Sequence, residues 1–106
     1  MCSVKEKQEK LQDLINNLNY VSFEIFKDIN GKVSDRHLSM LKTYFTAAFY
    51  ALKKSIIQEF DRTQVQTSET KLKRFINEIT LLSMESDFEN EKIDDLRQIV
   101  LEIIET

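Results

Sequence analysis

The sequence contains no proline and only one glycine, Gly31, in 106 residues. Tight turns between β-strands usually need glycine where φ is positive, and a sheet protein carries many such turns. Leucine, isoleucine, lysine and glutamate, which favour helices, are abundant instead. A chain of this length is long enough for one domain with one modest core. We therefore predict an all-α fold that comprises residues 1–106 as a single helical domain.

Apolar residues recur at the spacing of amphipathic helices in four segments. The predicted helices cover residues 4–29, 35–60, 69–84 and 87–105, and the polar segment 61–68 is predicted to be a loop. The simplest arrangement is an antiparallel four-helix bundle with two long helices followed by two shorter ones. At 1.5 Å per residue the long helices would measure about 39 Å and the shorter ones about 24 to 28 Å. A shorter hairpin cannot cover a longer one, so either the ends of the long helices fray or part of their apolar surface is covered by a second copy or by a different protein.

Local signals mark two of the predicted boundaries. Gly31 follows the first apolar stripe and can adopt the left-handed conformation that ends a helix. Ser34 is a good N-cap, and Val33 and Leu38 on either side of it have the spacing of a hydrophobic staple. The segment 86–89 has the serine-to-glutamate spacing of a capping box. The first two helices should therefore form a hairpin with a short connection.

Three aromatic residues, Tyr20, Phe23 and Tyr50, lie away from the apolar stripes of their predicted helices. Ile57 and Leu81 are aliphatic residues in similar positions. Aromatic and large aliphatic side chains concentrate at the energetic centres of protein interfaces, where lysine and glutamate are depleted. These five residues are the candidate protein interface. The alternative, a helix that is buried on two sides within the bundle, would place the same residues in the core.

The charge of the chain is unevenly distributed. The net charge is −3, yet residues 1–84 carry 13 basic and 10 acidic side chains, whereas residues 85–106 carry 2 basic and 8 acidic ones. A net negative chain does not attract polyanions as a whole, so nucleic acid is disfavoured as a partner. Lys71, Lys73 and Arg74 form a small basic cluster and are weak candidates for phosphate contacts.

Residues with catalytic or metal-binding chemistry are few. His37 is the only histidine and Cys2 the only cysteine, and neither has a partner at ligand spacing. The carboxylates follow the solvated faces of the helices, apart from Glu59, which falls near the apolar stripe of the second helix. One glycine cannot form a phosphate-binding loop. We predict no catalytic residue, metal site or cofactor, and we predict that the protein is not an enzyme.

The cellular setting can also be inferred from the sequence. One cysteine allows no internal disulfide, and the charged first ten residues do not resemble a secretory signal. The uncharged segment 43–52 is ten residues long, whereas a membrane span needs about 20. We therefore expect a cytoplasmic protein without a membrane span.

Absence of catalytic chemistry together with surplus apolar surface favours a binding function. In size and helical class the chain is similar to bacteriocin immunity proteins, secretion chaperones and phage-encoded inhibitors, although the similarity extends to no particular residue. We predict a small intracellular protein that acts by binding another protein, as an inhibitor, immunity factor, adaptor or chaperone. A self-associating homodimer in which the long hairpins pair is the alternative. Nucleic-acid binding is a weaker alternative.

Overall fold

The computed structural model describes residues 4–86 and 91–106, which form four helices. They are α1 (Val4–Ile29), α2 (Asp35–Ile57), α3 (Arg62–Ser86) and α4 (Glu91–Glu105). α1 packs against α2 and α4, and α3 packs against the same two helices, so α2 and α4 lie diagonally across the bundle. The molecule is elongated and measures 45 × 22 × 18 Å. The predicted all-α four-helix bundle is therefore confirmed.

Each helix faces the core with a regular seam of buried residues. The buried positions recur at alternating intervals of three and four residues, as in coiled coils. They are Leu11, Ile15, Leu18, Ser22, Ile25 and Ile29 in α1; Leu41, Phe45, Ala48, Leu52 and Ser55 in α2; Val65, Ser68, Leu72, Phe75, Ile79 and Leu82 in α3; and Ile93, Leu96, Val100 and Ile103 in α4. Full burial of one leucine or isoleucine side chain contributes about 1.5 to 3 kcal/mol, so the four seams are the main stabilising element.

Aromatic rings from three helices meet at the middle of the core. Phe45 of α2 lies 5.4 Å from Phe75 of α3 and 6.0 Å from Phe26 of α1, measured between ring centroids. Phe26 and Phe75 are 5.7 Å apart, so the cluster joins the diagonal helices α1 and α3. Edge-on and offset ring pairs contribute about 0.5 to 1.5 kcal/mol each beyond their buried area. This cluster therefore connects all three long helices within the core.

The α1–α2 turn confirms the predicted boundary signals. Gly31 has a φ angle of +84°, which is the left-handed conformation that glycine adopts without steric cost. The Ser34 hydroxyl accepts a hydrogen bond from the His37 backbone N–H at 3.2 Å, as an N-cap does. Val33 and Leu38 are half-buried and pack against the core. These contacts hold the hairpin at its predicted place.

The α2–α3 turn differs from the prediction. We predicted that the second helix extends to residue 60, but α2 ends at Ile57, and Glu59 and Phe60 have φ angles of 57° and 65°. The Phe60 and Asp61 backbone N–H groups both donate to the Ser55 carbonyl, at 2.6 and 3.1 Å. Left-handed backbone costs a non-glycine residue about 1 to 2 kcal/mol, and glycine therefore usually marks such turns. The prediction missed this turn because it contains no glycine.

The predicted loop 61–68 is wrong, because α3 begins at Arg62 rather than near residue 69. Asp61 caps the helix, and its Oδ1 accepts from the Thr63 backbone N–H at 3.0 Å. Val65 and Ser68 are fully buried and continue the seam through this polar segment. α3 has 25 residues and α2 has 23, so the predicted short third helix is wrong. The apolar surface that the first hairpin was expected to leave uncovered by a short α3 is therefore absent from the described residues.

An ion-pair cluster joins α4 to α1. Lys92 Nζ lies 2.7 Å from Asp28 Oδ2 and 3.6 Å from Glu24 Oε2. The hydrogen bond to Asp28 is the main cause that raises the pKa of Lys92 above its ordinary value. The predicted start of the fourth helix at residue 87 lies outside the described residues, as do Cys2 and residues 87–89 of the predicted capping box 86–89.

Candidate protein interface

The five residues of the candidate interface are all exposed. Tyr20 and Phe23 of α1 expose 66% and 65% of their surface, and Tyr50 of α2 exposes 61%. Ile57 of α2 and Leu81 of α3 expose 78% and 54%. The sequence pattern left open whether the aromatic residues lie in the core. In the structure they point into solvent, because the seams of α1 and α2 use the positions between them.

Three of the five residues border one continuous surface that is formed mainly by α2. A groove between α1 and α2 is lined by Phe23, Phe26, Lys27, Asn30, Leu38 and Lys42. A shallow, open surface shares Leu38 and Lys42 with this groove and continues along α2 to Tyr50, and all the residues that line it belong to α2. We call the groove and this open face, together with the surface at the end of α2 described next, the α2 groove. Tyr20 lies three residues before Phe23, which places both side chains on one face of α1.

The third part of the α2 groove lies at the C-terminal end of α2. Tyr50 belongs to both the open face and this last part, so the surface is continuous. The last part is lined by Tyr50, Lys53, Lys54, Ile57 and Gln58. The structure therefore brings Phe23, Tyr50 and Ile57 to one surface. Leu81 lines none of the three parts of the α2 groove and belongs to α3.

The floor of the α2 groove is formed by small, uncharged side chains. Thr43, Thr46 and Ala47 occupy its middle, where a solvated helix would normally carry lysine and glutamate. The Thr43 hydroxyl donates to the Ser39 carbonyl at 3.0 Å, so its hydrogen-bonding capacity is used within the helix. A partner that covers Thr43 would therefore not leave its hydroxyl donor unpaired.

Lysines border the α2 groove, and two of them rest on aromatic rings. Lys54 Nζ lies 5.2 Å from the centroid of the Tyr50 ring, and Lys53 Nζ lies 5.5 Å from that of Phe49. Such cation–π contacts are worth about 0.5 to 1 kcal/mol at exposed sites. They hold the ammonium groups beside the apolar floor. The sequence pattern did not reveal this border, because it combines Lys27 of α1 with lysines of α2.

The basic cluster on α3 is partly engaged in contacts within the protein. Lys73 Nζ forms a salt bridge with Glu69 at 3.2 Å. The Arg74 guanidinium lies 4.7 Å above the ring of Tyr44. Lys71 is exposed. A phosphate group would have to compete with these contacts at two of the three residues, which weakens the nucleic-acid hypothesis for this cluster.

A second, smaller groove lies between α3 and α4 and was not predicted. Its volume is about 290 Å³, and Leu101, half of whose surface is exposed, lies on its border. Arg97 also lines it, but its guanidinium already donates to Thr80 Oγ1 at 2.7 Å and to Asp94 Oδ1 at 3.1 Å. The sequence feature that could have revealed this groove is the position of Leu101 outside the apolar stripe of the fourth helix. This groove is smaller than the α2 groove, and both of its cationic residues, Lys73 and Arg97, are paired with carboxylates.

Among the described residues, the side chains that could take part in catalysis or metal binding do not form a cluster. His37 Nδ1 lies 2.8 Å from the Ser34 hydroxyl at the exposed start of α2. Glu59 lies in the α2–α3 turn and is exposed, rather than near the core stripe as its spacing had suggested. Within residues 4–86 and 91–106, no three His, Cys, Asp or Glu side chains are placed to hold a metal ion.

Comparisons with protein-family models, with curated proteins and with solved structures gave no match for this chain. In the part of the chain that the structure describes, every helix is too short or too polar to cross a lipid bilayer.

Proposed function

We propose that this protein acts by binding another protein through the α2 groove, as an inhibitor, immunity factor, adaptor or chaperone does. The observation that carries the proposal is the exposure of Phe23 and Tyr50 on one surface whose middle part, at Thr43, Thr46 and Ala47, is uncharged. Exposed aromatic side chains beside surface without charges are typical of interaction sites. Burial of an exposed phenylalanine contributes about 1.5 to 3 kcal/mol, which is the scale of an interface hot spot.

Self-association through the same surface is the main alternative, and the charges argue against it. Pairing of two α2 grooves around a twofold axis would bring Lys27, Lys42, Lys53 and Lys54 of one copy close to the same lysines of the other. Like charges across an interface disfavour association. A different protein with a complementary surface avoids this repulsion.

Site-specific photo-crosslinking tests the proposal with a matched control. A photoreactive phenylalanine analogue replaces Thr43 in the α2 groove or, as the control, Thr67 on α3. Both threonines are exposed, and both hydroxyls donate to the carbonyl four residues earlier at 3.0 Å. The two variants therefore lose the same local bond. After irradiation in the producing cells, we expect an adduct with a different protein from position 43 and none from position 67.

Other adduct patterns would contradict the proposal. Equal adducts from both positions, or none from position 43, would remove the α2 groove as the binding site. An adduct with twice the mass of the chain would replace the proposal with self-association. Phe23→Ala and Tyr50→Ala should weaken the adduct and leave the melting temperature nearly unchanged, because both side chains are exposed. A large fall in melting temperature would instead assign these residues to the stability of the fold.

A further inference from the structure

The charged side chains that line the α2 groove are mostly basic. They are four lysines, Lys27, Lys42, Lys53 and Lys54, and one acidic residue, Asp35. Four positive charges and one negative charge give the groove a net charge of +3, whereas the whole chain has a net charge of −3. The sign of the charge is therefore reversed at this surface, and such a reversal selects partners of opposite charge.

We infer that the α2 groove receives an acidic amphipathic helix of the partner protein, an inference that rests on the proposed function. The apolar side of such a helix would cover the floor at Thr46 and Ala47 and contact Phe23 and Tyr50. Its glutamates and aspartates would lie at the borders, within reach of the lysines. This is the helix-in-groove mode of recognition, with charge selecting the partner and apolar burial supplying affinity.

The length of the α2 groove and its small side chains suit a helix. From Leu38 to Ile57 it follows α2, and this distance corresponds to roughly 29 Å, the length of a helix of about 19 residues. Small side chains at Thr43, Thr46 and Ala47 leave room for the side chains of a second helix that packs along the exposed face of α2. An added β-strand would need the edge of a sheet, and the described residues are helices joined by turns.

A second copy of the chain is a poorer occupant, although α4 is acidic and amphipathic. α2 and α4 lie on opposite sides of the bundle, because each packs against both α1 and α3. Docking α4 of one copy into the α2 groove of the next would leave a free site at each end of the pair. Such head-to-tail contacts produce rings or open polymers rather than a closed dimer. A separate acidic helix instead forms a one-to-one complex, because it offers no second binding site for another copy.

Labelled peptides measure the preference directly, with fluorescence anisotropy and the full chain as the receptor. The first peptide has about 20 residues, with leucine on one helical face and glutamate at its flanks. The second carries lysine in place of each glutamate, and the third keeps the glutamates but has serine in place of leucine. We expect the first peptide to bind about tenfold more tightly than either of the others at low salt. The difference should shrink in about 1 M salt, where the Debye length is about 3 Å.

Two variants with the same change in net charge serve as test and control. Lys42→Glu/Lys53→Glu changes lysines of the α2 groove, whereas Lys10→Glu/Lys71→Glu changes exposed lysines outside it. We expect the first variant to bind the lysine peptide more tightly than the glutamate peptide, and the second to keep the original order. An equal effect of both variants would mean that net charge, rather than the groove, controls binding, and would overturn the inference.

Further outcomes separate this inference from the proposed function. If an adduct forms at Thr43 but the glutamate peptide has no advantage over the lysine peptide, the acidic-helix inference fails and the proposed function stands. If no adduct forms at Thr43, both fail. Stronger binding of phosphatidylglycerol vesicles or single-stranded RNA than of the glutamate peptide, lost in Lys42→Glu/Lys53→Glu, would overturn the inference in favour of a polyanion.

Discussion

Replacement of Ser22 with alanine should stabilise this protein. Ser22, Ser55 and Ser68 are fully buried seam residues, but their hydroxyls differ. The Ser68 hydroxyl donates to the Gln64 carbonyl at 2.8 Å. Within the described part of the chain, the Ser22 and Ser55 hydroxyls have no hydrogen-bond partner. Ser22→Ala removes a buried polar group without breaking a bond, so the folded state no longer carries its desolvation cost.

The expected gain follows from the terms of this exchange. Burial of an unpaired hydroxyl costs about 1 to 3 kcal/mol by mutational measures. Alanine also favours a helix over serine by about 0.5 kcal/mol. Against this, the lost oxygen atom removes a few dispersion contacts of about 0.1 to 0.2 kcal/mol each. We expect Ser22→Ala to raise the free energy of unfolding by about 1 to 2 kcal/mol. In a domain of this size, that corresponds to a melting temperature higher by about 4 °C or more.

Urea unfolding followed by circular dichroism measures this gain, and Ser68→Ala is the matched control. Both variants remove one hydroxyl from a fully buried seam position, but only Ser68→Ala breaks a hydrogen bond. We therefore expect a clear gain for Ser22→Ala and a change near zero for Ser68→Ala, with equal denaturant slopes. A loss of stability in Ser22→Ala, or equal changes in the two variants, would refute the assignment of an unpaired hydroxyl to Ser22.

Two further predictions concern the α2–α3 turn and the ion pairs of α4. Glu59→Gly should raise the free energy of unfolding by about 0.5 to 1 kcal/mol, because glycine avoids the cost of the left-handed backbone. Glu59→Ala should give no such gain, and equal effects of the two variants in thermal unfolding would contradict this explanation. Lys92→Met should lower stability at neutral pH, because the Asp28 and Glu24 carboxylates stabilise the ammonium group. Since they raise the folded-state pKa of Lys92 above 10.5, this contribution is complete below that pH and is lost as the pH rises through the raised pKa. A difference between Lys92→Met and the original chain that persists well above that pKa would contradict the assignment.

The sequence predicts the fold well where local signals and the apolar pattern agree. The first helix has the predicted bounds because its stripe ends directly before Gly31. The start of α3 was missed because Val65 is the only large apolar residue in its first two turns, and the buried Ser68 reads as polar. Asp61, an N-cap residue, was the available signal for this start. Tertiary burial, rather than local preference, extends this helix.

The candidate interface was predictable only in part. Helical spacing places Tyr20, Phe23 and Tyr50 away from the seams of their own helices, and this much follows from the sequence. Their exposure depends on which helices are neighbours, because a third helix on that side would bury them. The basic border depends on the same arrangement, since it brings Lys27 of α1 close to Lys42 of α2. Spacing within one helix carries no information on contacts between helices.

The contact between α4 and α1 closes the ring of helices, and it joins the most distant parts of the chain. The hydrogen bond between Lys92 and Asp28 spans 64 residues, whereas the bond between Arg97 and Thr80, which joins α4 to α3, spans 17. Each doubling of loop length adds about 0.6 kcal/mol of closure entropy, so the first contact costs roughly 1.2 kcal/mol more to form than the second. α4 should therefore dock onto α1 late in folding. In the native state, α4 should also detach at a lower free energy than the other helices, and its amide hydrogens should therefore exchange with solvent first.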